Sequence, residues 1–188
     1  MRQMSESPEH TEMLSEAKQL ADLIASSLPA KIEIAALSLN SKIPFKALSL
    51  RELLIHRVSE LATPAVELFE QRRLIPGVIL TRAVVETVAL TFSLHKQIES
   101  FLSSHDVAAF DNFLMLSLMG SRLPDSTHQA TNIITLVKHV EKVIPGFEQS
   151  YNSLSEYAHP NWAGVLGAFG EIDKEAFAPR LRGQIFNL

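Results

Sequence analysis

Residues 75–94 read IPGVILTRAVVETVALTFSL, and almost every position is apolar. A helix that is hydrophobic all round belongs among other helices. The stretch therefore predicts the innermost rod of an all-α bundle. Its two charges, Arg82 and Glu86, lie four residues apart and share one face. At 100° per residue, Ala89 and Ser93 continue the same stripe. An unpaired charge is costly to strip of water, so Arg82 and Glu86 are expected to pair or to face a cleft. Two charges at mid-helix would also be expensive in lipid, so the stretch reads as a core helix rather than a membrane span.

The flanking sequence carries the same helical texture. Upstream, Ser7-Pro8 reads as a cap with proline at the first helical position. Behind it Leu14, Ala17, Ala21, Ile24 and Leu28 recur at helical spacing, and Pro29 closes the segment. Residues 32–39 read as a short helical piece and 40–46, with Pro44, as a connector. Ser49-x-x-Glu52 has the form of a capping box, with Leu53, Leu54 and Leu61 behind it. Thr63-Pro64 is expected to restart or kink that helix, which runs to about Arg73. The link to the central helix is short, which predicts antiparallel neighbours.

Downstream, 96–102 and 106–119 continue helical, and 120–129 (GSRLPDSTHQ) is a loop rich in turn formers. Thr131 reads as the next cap, with Ile133, Ile134, Val137, Val140, Val143 and Ile144 facing inward. Pro145-Gly146 breaks that helix. Another runs over 147–158, where Pro160 pushes His159 out of the α region. Gly164, Gly167 and Gly170 punctuate residues 162–172, and 174–188 reads as a short last helix. No stretch alternates at period two, and no internal repeat is present. The expectation is one helical domain over 1–188, with a core bundle at about 48–165, an N-terminal helical segment at 8–40 and a C-terminal tail at 171–188.

With 46% apolar and 20% charged residues, the 188-residue chain has the composition of a globular protein with a substantial core. A formal charge of −4 gives no global positive field to draw in nucleic acid. Cysteine is absent, which removes disulfides, thiolate zinc sites and thiol nucleophiles and fits a reducing compartment. The first residues, MRQMSESPEHTEM, lack the apolar core of a secretory signal, so a cytoplasmic location is expected.

His159 is the foremost candidate for chemistry. Tyr151, Ser155 and His159 are spaced by four, which predicts one helical face, with Glu156 beside it. A helix C-terminus favours imidazolium and suits a general acid or base, although a histidine there also serves to cap its own helix end. Arg82 could offer a planar fork to a phosphate oxygen, with Glu86 orienting it, or the two could form a structural ion pair. Asn161 and Trp162 stand in the proline-restricted turn, as a turn cap and as either a core or a stacking aromatic. Glu156-x-x-His159 matches half of a di-iron bundle signature, but a second Glu-x-x-His is absent and Glu52 with His56 has the wrong spacing. No metal site and no cofactor are therefore expected. Hydrolase-elbow, P-loop and dinucleotide-binding glycine motifs are absent as well.

Taken together, RAVVET at 82–87, TNIITLVKHVEK at 131–142 and YNSLSEYAHPNW at 151–162 resemble uncharacterised prokaryotic proteins of the HEPN-like superfamily, the higher eukaryote and prokaryote nucleotide-binding helical bundles. The resemblance covers roughly 72–167. It implies an up-and-down bundle of four or five long helices, often a homodimer. Many members are metal-independent ribonucleases of toxin–antitoxin or phage-defence systems, and others are inactive binding modules. Active members carry Arg, then four to six residues, then His, with both side chains meeting across a dimer interface. Here the histidine matches at His159, but the arginine positions hold Asn152, Ser153 and Leu154.

Three readings are open at this point. The first is a ribonuclease or nucleotide-binding protein with His159, Arg82 and Glu86 as catalytic residues and Tyr151, Ser155, Asn161 and Trp162 as binding residues. The second is an inactive module that binds RNA, a nucleotide or a protein partner. The third is a metal-binding bundle.

Overall fold

In the computed structural model the described residues are 8–33, 40–173 and 178–181, with side chains described as far as residue 170. Pro8 opens α1 (Pro8–Ser26) at a position where its missing N–H costs no hydrogen bond. Leu14, Ala17, Ala21 and Ile24 are its covered side chains, with Ala21 buried, while Leu28 lies two residues past its end. The stripe read from spacing is thus the stripe that packs, and it packs on α2. Residues 34–39 of the expected short helical piece lie outside the described residues, and 31–33 are not helical.

The sequence expectation fails next at α2, which spans Ile43–Glu70 without interruption. Pro44 is not in a connector but within its first turn, where proline fits. Ser49-x-x-Glu52 is therefore no capping box. Both residues are internal, and Glu52 is buried with its carboxylate on the Arg51 guanidinium. Pro64 lies inside the same helix rather than restarting it. The central helix, α3, is longer than its apolar stretch and runs Leu74–Ser104, ending at His105 in the left-handed region (φ 54°). α4 (Val107–Met119) comes after it, with the Asp106 carboxylate accepting the Ala109 N–H at 3.0 Å.

α5 (Ile133–Glu141) is capped by Asn132, not Thr131, through the Ile134 N–H at 3.0 Å. Its inward residues are Leu136, Val137 and Val140, whereas Ile134, Val143 and Ile144 are exposed. The helix is only nine residues long, so Val143 and Ile144 lie past its end and lose the register that spacing assigned them. Gly146, at φ 92°, then turns the chain into α6 (Phe147–Ala158). Beyond α6 lie a π-helical turn (Ala163–Gly167) and an antiparallel ribbon of β1 (Gly170–Asp173) and β2 (Ala178–Leu181). The ribbon replaces the expected terminal helix where residues are described; 174–177 and 182–188 lie outside them.

The assembly is an all-α bundle arranged about α3, which touches α2, α4, α5 and α6. Two buried clusters divide its length. One joins Leu50 and Leu54 of α2, Leu94 of α3 and Phe110 and Leu114 of α4. The other joins Ala89 of α3, Leu136, Val137 and Val140 of α5 and Tyr151 of α6. Among the described residues α3 is the one helix long and apolar enough to cross a membrane, yet it carries Arg82 and Glu86 at its middle. Its composition predicts a helix set among other helices, with its two charges paired or facing a cleft. Gly77, Thr87, Ala89 and Leu94 are buried and most of its other apolar side chains are half-covered.

Candidate functional site

Arg82 and Glu86 do pair, one turn apart on α3, with Nη2 to Oε1 at 3.1 Å. Tyr151 of α6 joins them. Its hydroxyl accepts a hydrogen bond from Arg82 Nη2 at 3.1 Å and donates one to Glu86 Oε1 at 3.2 Å. The guanidinium carbon also stands 5.4 Å from the centre of the Tyr151 ring, within cation–π range. Helical packing explains the meeting: Tyr151 is the buried residue of α6 and sits in the same cluster as Ala89, one turn beyond Glu86.

The triad is half open, with side-chain exposures of 29% for Arg82 and 28% for Glu86. Hydrogen bonding to Tyr151 raises the Arg82 pKa above its ordinary value, burial works against this, and Glu86 adds to the rise. Arg82 is thus a permanent cation whose Nη2 is already shared between two oxygens. Its Nε is buried and, among the described residues, has no hydrogen-bond partner.

His159 is not part of this group. It is the C-cap of α6, with extended backbone (φ −86°, ψ 148°) imposed by Pro160. Its imidazole is exposed and, among the described residues, makes no hydrogen bond. The four-residue spacing that aligned it with Tyr151 ends where the helix ends. Along the helix axis the eight intervening steps amount to about 12 Å. Ser155, between them, donates its hydroxyl to the Tyr151 carbonyl at 2.9 Å and so serves its own helix.

Asn161 stabilises the turn from both sides. Its Nδ2 donates to Glu156 Oε2 at 2.7 Å, and its Oδ1 accepts the Gly164 N–H at 3.0 Å. The turn folds back so closely on α6 that a Cβ at Gly164 would stand 2.1 Å from the His159 carbonyl oxygen. Trp162, held on this turn, is 73% exposed. Sequence reasoning singled out Tyr151 but not its role as the bridge, since a tyrosine's hydroxyl partner is not visible in spacing along its own helix.

Two groups missed by the sequence reading have structural parts. Glu141, at the end of α5, accepts the Gly146 N–H at 3.0 Å and the Glu148 N–H at 2.8 Å, capping α6 from the preceding helix. These backbone bonds lower its pKa, Gly146 more than Glu148. Arg57 of α2 donates Nε to Thr87 Oγ1 at 3.3 Å, a polar tie across the α2–α3 seam. Among the described residues no three His, Asp or Glu side chains gather as metal ligands. Comparison with protein-family models, curated proteins and solved structures finds no match for the chain.

Proposed function

We propose that this chain is an HEPN-like helical interaction module that does not itself cleave RNA. The observation carrying this reading is the separation of its candidate catalytic groups: Arg82 is engaged by Glu86 and Tyr151, while His159 is exposed beyond the end of α6. Metal-free RNA cleavage needs a base for the 2′-hydroxyl, an acid for the leaving oxygen and a cation for the developing phosphorane charge. His159 could fill one of these parts. α6 carries no Lys or Arg to stand beside it, and Asn152, Ser153 and Leu154 occupy the positions of the arginine that active relatives of this type use. The exposed Trp162, on a turn fixed by Asn161 and Pro160, suits a surface for binding.

The test is incubation of the purified chain with total RNA, with and without EDTA, beside His159→Ala. The expected result is no cleavage by either protein, with unchanged helical content in the variant. Cleavage that survives chelation and disappears in His159→Ala would overturn the reading in favour of a ribonuclease. Cleavage lost on chelation would point to a metal-dependent activity.

A further inference from the structure

From the surface at the carboxyl end of α6 we infer a docking site for a basic, amphipathic protein segment, with Trp162 as its anchor. This rests on the interaction-module reading and names the partner's chemistry. Trp162, Tyr157 and Val165 are 73%, 48% and 50% exposed. The π-helical turn folds back on the end of α6, since the Gly164 backbone packs against the carbonyls of Tyr157 and His159, and the Trp162 ring lies beside Gly167. The two aromatic rings alone leave roughly 280 Å² open. Tryptophan and tyrosine are also the residue types that dominate binding energy at such centres.

The rim decides the partner's charge. Glu148, Asn152 and Glu156, spaced by four on α6, share one face about a quarter-turn round from buried Tyr151, and with Glu141 they line an open groove. Glu156 connects groove to anchor through its hydrogen bond with Asn161, the residue before Trp162. α6 supplies no cation to neutralise this rim. A nucleic-acid backbone would meet repulsion there, whereas Lys or Arg flanking an apolar side chain would find complementary charge. The occupant is therefore a peptide segment of a protein partner with an apolar residue seated on Trp162 and basic residues over Glu148 and Glu156.

A random-peptide library panned on the full chain, with counter-selection on Trp162→Ala, tests this. Enriched sequences should combine Leu, Met or Phe with flanking Lys or Arg. A peptide so enriched should change the fluorescence of Trp162, the only tryptophan in the chain. Its affinity should fall at least tenfold in Trp162→Ala, at least tenfold in the double variant Glu148→Lys/Glu156→Lys, and further with added salt. Trp162→Ala should keep the unfolding midpoint of the parent, and the double variant should keep its helical content. No enrichment over the Trp162→Ala background, or enrichment of acidic peptides, overturns the proposal. So does quenching of Trp162 by a single-stranded oligoribonucleotide that the charge reversals do not weaken. Sedimentation showing a dimer that Trp162→Ala disperses would assign the patch to a second copy and overturn it too. RNA cleavage in the separate assay bears on the module reading and leaves these outcomes distinct.

Discussion

Tyr151 is the residue on which the polar centre of the molecule turns, because its single hydroxyl serves a donor and an acceptor at once. Tyr151→Phe removes both bonds while keeping the ring and its packing. The expected loss is about 1 kcal/mol, the net worth of hydrogen bonding at a partly open site, read as a shift in the urea midpoint. Glu86→Ala leaves Arg82 with Tyr151 and solvent, so its cost should be about 1–2 kcal/mol rather than the ~3 kcal/mol expected for an enclosed charge. A loss above that range would mean that the guanidinium is dry. The sequence made the Arg82–Glu86 pair legible because four-residue spacing on one helix suffices to predict it. The place of His159 off the Tyr151 face is not legible from spacing. Spacing extends a helical stripe one residue past the point where Pro160 ends the helix, and exposure follows from the break.

Helix ends are where local pattern and tertiary structure disagreed most. Asn132 and Thr131 are both good capping residues, and only the backbone conformation selects between them. Asn132→Ala should cost about 1 kcal/mol and Thr131→Ala almost nothing, checked by thermal unfolding of the two variants. The false capping box at Ser49 and Glu52 has a similar cause. Four residues carry the signature, while the helix they seemed to start begins at Ile43 and buries Glu52. Glu141 makes the opposite lesson: a cap supplied from the previous helix leaves no mark in the sequence of the helix it caps. Because its pKa is lower folded than unfolded, its stabilising effect is complete above the ordinary glutamate value of about 4.3 and fades as pH falls through the folded value. Glu141→Gln should therefore flatten part of the parent's acid-side loss of stability, measured as unfolding midpoints between neutral pH and about pH 3. An unchanged acid limb would show that the contacts with Gly146 and Glu148 do not persist in solution.

At the scale of the molecule, the fold class was legible because 3.6-residue periodicity persists through most of the chain and survives errors at the ends of elements. The division of the interior was not, since apolar spacing shows which face is buried but not which neighbour covers it. One cluster lies among α2, α3 and α4, the other among α3, α5 and α6, and α3 spans both. Such an arrangement bears on how the native state comes apart. Leu114 is fully buried in the first cluster, and Leu114→Ala should cost about 3 kcal/mol. Native-state amide hydrogen exchange should then show where that loss is felt. Faster exchange is expected in α4 and the first half of α2, with little change in α5 and α6, as two separately opening units joined by a shared beam would give. If every amide quickened alike, the chain would open as one unit. On the two-unit pattern, the end that carries Trp162 loosens on its own schedule, and a partner gripping it would protect α5 and α6 from exchange while leaving the far end untouched.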